Sequence, residues 1–213
     1  MEYVAETARN PFGLSPPCDR AVPGYGDVNA DFHIIGDNPG VHGGLDSGIP
    51  FDGEPWSETF FETLVQAGLL ADVDPRDETV TTSGTFLSYL HMCETDADGP
   101  DEESYARLEP LFDAELRAIT AHVLVPVGPT ATAHIVQNYT ARVPADPPEM
   151  DERHASDLRG SGFLILPIKS PETWGRDDAD RFVAQVEALG DADYHQISDL
   201  GRFIPGGDPY LVR

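Results

Sequence analysis

Asp37 and Asn38 stand side by side where an apolar run ends, in FHIIGDNPGVHGGLDSGIPFDG (Phe32 to Gly53). A carboxylate next to an amide can hold a water molecule and take its proton, which is the equipment of hydrolysis. Phe51, held behind Pro50, offers a flat face to a flat ligand such as a base. Gly36 and Gly40 let backbone approach a ligand without a Cβ. The N–H groups after Gly40 can face an anion, and His42, read as exposed in its glycine loop, can contact phosphate or base. This is not a dinucleotide fingerprint, since G-x-G-x-x-G is missing and Pro39 removes a donor. It is not a phosphate loop either, because no Gly-Lys-Ser/Thr follows.

Those residues need a scaffold. Phe32 to Gly36, HVLVPVG (His122 to Gly128) and FLILPI (Phe163 to Ile168) read as buried strands. ETVTTSGTFLSYLHMC is β-rich through about Leu90. Helices are expected over Trp56 to Leu70, with Ser57 as cap and Gly68 near the end. Others are expected over 101–121, where Pro110 marks a kink or a late start, and over PTATAHIVQNYT and RDDADRFVAQVEALG, the last stopped by Gly190. Apolar strands alternating with helices predict an α/β fold, a three-layer α/β/α sandwich around a mostly parallel four-stranded sheet. One domain is expected over residues 1–213, with an irregular segment 1–31 and an extended tail 191–213 packed across the body. Ligands of such sheets sit at the carboxyl ends of the strands. The loops leaving those ends are GDNPGVHGG, GPTATA and KSPETW.

Thirteen basic residues face 38 acidic ones, a net charge of -25, and Lys169 is the only lysine. We read this as a surface adapted to molar salt, where the Debye length shrinks to about 3 Å and carboxylate repulsion is weak. Charge sign then excludes neither nucleic acid nor its absence. No apolar run reaches the length of a membrane span and no leader is visible in MEYVAETARNPFG. A soluble, cytoplasmic monomer is expected, with Cys18 and Cys93 as two thiols. The scattered His122, His134, His154 and His195 have no metal spacing, so no metal is assigned.

The combination VPGYGDVNADFHIIGDNPG followed by GIPFDG resembles the uracil-DNA glycosylase superfamily, closest to its iron–sulfur (family 4) branch, from about Asn10 to Leu189. The helix FFETLVQAGLL and the stretch LEPLFDAELRAITAHVLVPVGPTATAHIV are similar to the following elements of that branch. The resemblance implies a DNA-repair enzyme that flips deoxyuridine out of the duplex, stacks the base on Phe51 and hydrolyses the glycosidic bond. Asp37 matches the acidic residue of G-E-x-P-G. Asn38 gives G-D-N-P-G, similar to the G-I-N-P-G of mismatch-specific glycosylases, whose Asn orients the water. Tyr89 stands at the place of the family's uracil-reading Asn, and Lys169-Ser170-Pro171 at that of its His-Pro-Ser. Lys169 would offset charge on the departing base, Ser170 would bind a DNA phosphate, and the loop after Cys93 would probe the DNA. Cys18 and Cys93 fall near two cluster-cysteine positions and Glu109 near a third, so no cluster and no cofactor are expected. In this picture Asp37 and Asn38 face the Phe51 ring across a slot one base thick. The alternatives are the same fold kept for binding nucleic acid or nucleotide without chemistry, and an unrelated nucleotide-binding α/β enzyme.

Overall fold

The computed structural model describes residues 7–74, 79–96, 98–140, 149–160 and 162–191. The elements run β1 (Ala8–Arg9), β2 (Tyr25–Gly26), β3 (Phe32–Gly36), α1 (Pro39–His42), α2 (Ser57–Gln66), β4 (Leu70–Asp74), β5 (Thr79–Thr82), β6 (Thr85–Tyr89), α3 (Glu102–Ile119), β7 (Val123–Pro126), α4 (Gly128–Tyr139), α5 (Met150–Arg153), β8 (Leu158–Arg159), β9 (Leu164–Ile165) and α6 (Asp178–Asp191). Strand order in the main sheet is β1-β2-β6-β3-β7-β9-β8. The four strands β6, β3, β7 and β9 are mutually parallel. They form the expected core, extended by antiparallel two-residue strands at both edges.

Side-chain alternation along the parallel strands builds two cores. Ile34, Leu87, Val123, Val125 and Leu164 pack under Phe60 and Leu64 of α2 and Phe182 and Val186 of α6. Their neighbours Ile35, Phe86, Leu124 and Ile165 pack under Phe112 and Leu116 of α3 and Ala131 and Ile135 of α4. Both faces of the strands are buried, which is why they read as unbroken apolar runs.

Several local expectations shift. The α2 helix stops at Gln66, and Leu70 instead opens the hairpin β4–β5. Ser57 does not cap α2; its hydroxyl donates to the Phe51 carbonyl at 2.6 Å and accepts from the Glu54 N–H at 2.9 Å. Pro110 does not mark a late start, because α3 begins at Glu102 under a cap from Asp101 to the Ser104 N–H. Gly190 lies inside α6 rather than ending it. Cys18 and Cys93 form a disulfide instead of two thiols. The predicted tail lies, beyond Asp191, outside the described residues. No helix among the described residues is long and apolar enough to cross a membrane.

Candidate active site

The loop after β3 leaves the carboxyl edge of the sheet and turns at once into α1. Asn38 caps that turn: its backbone is extended and its Oδ1 accepts from the Gly40 N–H at 2.9 Å. The N–H groups of Val41 and His42 bond to the Asn38 carbonyl at 3.1 and 3.0 Å, and that of Gly43 to the Pro39 carbonyl at 2.9 Å. The amides expected to face an anion are therefore spent within the turn. Gly40 itself is exposed.

Asp37 is held from three sides. Its N–H donates to His42 Nδ1 at 3.1 Å, and its carbonyl accepts from the His91 N–H at 3.0 Å. Its Oδ1 accepts from the hydroxyl of Tyr105, on the first turns of α3. The residue stays half-buried.

His42 corrects an expectation. It is 1% exposed rather than presented to solvent. Because Nδ1 accepts from Asp37, the ring's proton sits on Nε2, which has no partner among the described residues. Burial pulls the ring's pKa down to about 4, against a smaller opposing pull from Asp37, so the ring is neutral at pH 7.

The His42 ring also lies beside Phe51. Its centroid lies 5.4 Å from that of Phe51 and 6.1 Å from that of Tyr89, on which it stacks. Phe51 is fully buried, with Phe60 and Tyr89 each at 5.3 Å. The ring assigned to stacking is thus enclosed within the core by His42, Phe60 and Tyr89, and a base would have to displace one of these rings.

Tyr89, at the end of β6, works as a clasp. Its hydroxyl accepts from the Phe51 N–H at 2.6 Å and lies 3.0 and 3.1 Å from the carbonyls of His42 and Gly43. Burial pushes the phenol pKa up, so it stays protonated. A Cβ on Gly36 would meet the Tyr89 ring at 2.7 Å and His42 Nδ1 at 2.9 Å, which is why glycine ends β3.

On the neighbouring strand-end loop, Lys169 Nζ lies 2.8 Å from Asp151 and 2.9 Å from Asp178. Those bonds hold the ammonium in its charged form. To offset charge on a base it would have to leave these partners. The Lys169 N–H donates to His154 Nδ1 at 3.1 Å, and His154 Nε2–H donates to the Asp178 carbonyl at 2.8 Å. Ser170 is half-buried; its carbonyl accepts from the Thr173 N–H and hydroxyl, each at 2.8 Å.

Sequence reasoning missed Tyr105 and its brace. His91 Nδ1–H donates to the Cys93 carbonyl at 3.2 Å, so Nε2 accepts the Ser104 hydroxyl at 2.7 Å. The Tyr105 ring meets His91 edge-on at 5.5 Å. The one available signal was that Asp101 caps the helix and so points Ser104 and Tyr105 back toward the strand ends.

The residues do not fit the cluster of the iron–sulfur branch. The two sulfurs are bonded to each other, and Glu109 pairs with His134 at 3.2 Å. Among the described residues no group of three His, Cys, Asp or Glu could hold a metal ion.

A parallel sheet whose switch loop presents Gly-Asp-Asn-Pro-Gly defines a class. The model of the uracil DNA glycosylase superfamily matches residues 23–190, and the chain belongs to that superfamily. Among its curated relatives are type-5 uracil-DNA glycosylases. That of Thermus thermophilus is 27% identical over 64% of this chain and 63% of its own length. That of Pyrobaculum aerophilum is 27% identical over 53% of this chain and 50% of its own. That of Mycobacterium leprae is 26% identical over 57% and 54%. The chain thus spans between half and just under two thirds of the length of these relatives.

Proposed function

We propose that this chain is a DNA glycosylase that hydrolyses the N-glycosidic bond of uracil or a related deaminated base. The observation that carries the reading is Asp37: a half-buried carboxylate at the carboxyl edge of the parallel sheet, with its Oδ1 held by the Tyr105 hydroxyl. As the bond to the base breaks, positive charge develops on the sugar and negative charge on the base. The Asp37 carboxylate offsets the first and takes the proton of the attacking water. The water's oxygen bonds to the sugar carbon, and the base leaves with the bond's electron pair. Asn38 spends its Oδ1 on the cap, which leaves its amide N–H₂ to orient that water. Phe51 receives the flipped base once His42 swings aside. We read the motifs in residues 22–53 as similar to those of the family 4 branch, whereas the relatives above carry the type-5 name. We further read the charge of -25 as adaptation to molar salt.

A second reading is favoured by Tyr89 and Lys169, whose polar groups are committed to protein partners. It is binding of nucleic acid without cleavage. Incubating the protein with uracil-containing single- and double-stranded DNA in about 2 M KCl, then cleaving abasic sites with alkali, separates the two. Strand scission lost in Asp37→Ala is the expected result. Binding without scission would establish the second reading instead.

A further inference from the structure

We propose that Tyr105 is a positioning residue for Asp37, a role that rests on the glycosylase reading above. Three observations converge on it. Its hydroxyl donates to Oδ1 of Asp37, so one oxygen of a half-buried carboxylate is fixed. The Asn38 side chain also influences the same hydroxyl, pulling its pKa against the upward push of Asp37, so the phenol senses both members of the acid–amide pair. The ring is itself held, edge-on to His91, whose two nitrogens are engaged by the Cys93 carbonyl and the Ser104 hydroxyl.

The physical need is plain. A carboxylate at the end of a strand rotates about two side-chain torsions, and each misaligned rotamer removes a base from the water it must deprotonate. A neutral donor on one oxygen selects a single rotamer without adding a charge. Burial and the Asp37 carboxylate both push the phenol pKa up, so Tyr105 keeps its proton and remains a donor. Arginine or lysine at this place would instead neutralise the carboxylate.

The test is Tyr105→Phe in the full chain, alone and combined with Asp37→Asn, assayed on a uracil-containing oligonucleotide. The expected result is a fall in kcat of about tenfold or more, with KM within about twofold and the melting temperature kept. In the Asp37→Asn background Tyr105→Phe should cost nothing further, because the group it orients is gone. A kcat at the wild-type level overturns the role, as does a loss that follows KM or melting temperature, or a full extra loss on top of Asp37→Asn. An inactive wild-type protein overturns the glycosylase reading itself and this role with it; an active wild type with unaffected Tyr105→Phe overturns this role alone.

Discussion

The hydroxyl of Tyr89 accepts the backbone N–H of Phe51 at 2.6 Å, across 38 residues of sequence. Phe51 needs that anchor. Its φ is +71°, a left-handed conformation that a bulky residue rarely adopts. Tyr89 holds its N–H and Ser57 its carbonyl, and together they fix the strained residue.

Tyr89→Phe should therefore cost about 1–3 kcal/mol, since it leaves a buried N–H and two carbonyls short of a partner. Urea denaturation of the two proteins in the same salt measures the loss. An unchanged midpoint would mean that the clasp contributes nothing.

Glu115 supplies a pH prediction. Its carboxyl lies buried between α3 and β2, so close to Gly24 that a Cβ there would sit 2.1 Å from Oε1. Burial, partly opposed by Gly24 and Ser88, raises its pKa to about 8. The folded state thus keeps a proton that the unfolded chain has lost above the ordinary glutamate pKa. Its contribution to stability is full below the unfolded value, near about 4.3, and declines as pH rises toward about 8. Glu115→Gln should remove that decline and be more stable than wild type at pH 8, by an amount on the order of a few kcal/mol. Denaturation midpoints at pH 5 and pH 8 test this, and equal pH slopes in the two proteins would refute it.

The Cys18–Cys93 disulfide closes a loop of 75 residues. Replacing both cysteines by serine should lower stability by about 2–5 kcal/mol, the range for cross-links of this span. It should also weaken the site, because the Cys93 carbonyl holds the His91 ring against which Tyr105 packs. Calorimetry paired with the excision assay checks both effects.

With a net charge of -25, self-repulsion should make the fold depend on salt. The melting temperature should climb steadily from about 0.1 to about 2 M KCl as screening tightens. A flat profile would remove the case for brine adaptation.

What could be read from the chain divides along physical lines. The strands β3, β7 and β9 and the loops leaving them were legible because strands buried on both faces carry an unmistakable apolar signature. The turn at Asp37–Asn38 followed from where such strands end. His42 was misjudged because glycines on either side suggest solvent, whereas Gly43 is there for another reason: a Cβ would lie 2.3 Å from the Asp52 carbonyl. Tyr105 escaped because its partner is 68 residues away, and the Asp101 cap marks where the helix starts without linking it to a strand-end aspartate. The disulfide was missed because the compartment argument, not the spacing, decided against it.

Lys169 carries the sequence's only side-chain amine, and two carboxylates keep it charged and occupied. Glycosylases that go on to act as lyases need a free, unprotonated amine to form an imine with the sugar aldehyde. Among the described residues no side-chain amine stands ready for that step. The reaction proposed above breaks only the bond to the base, and Lys169, as it stands, is tied to other work.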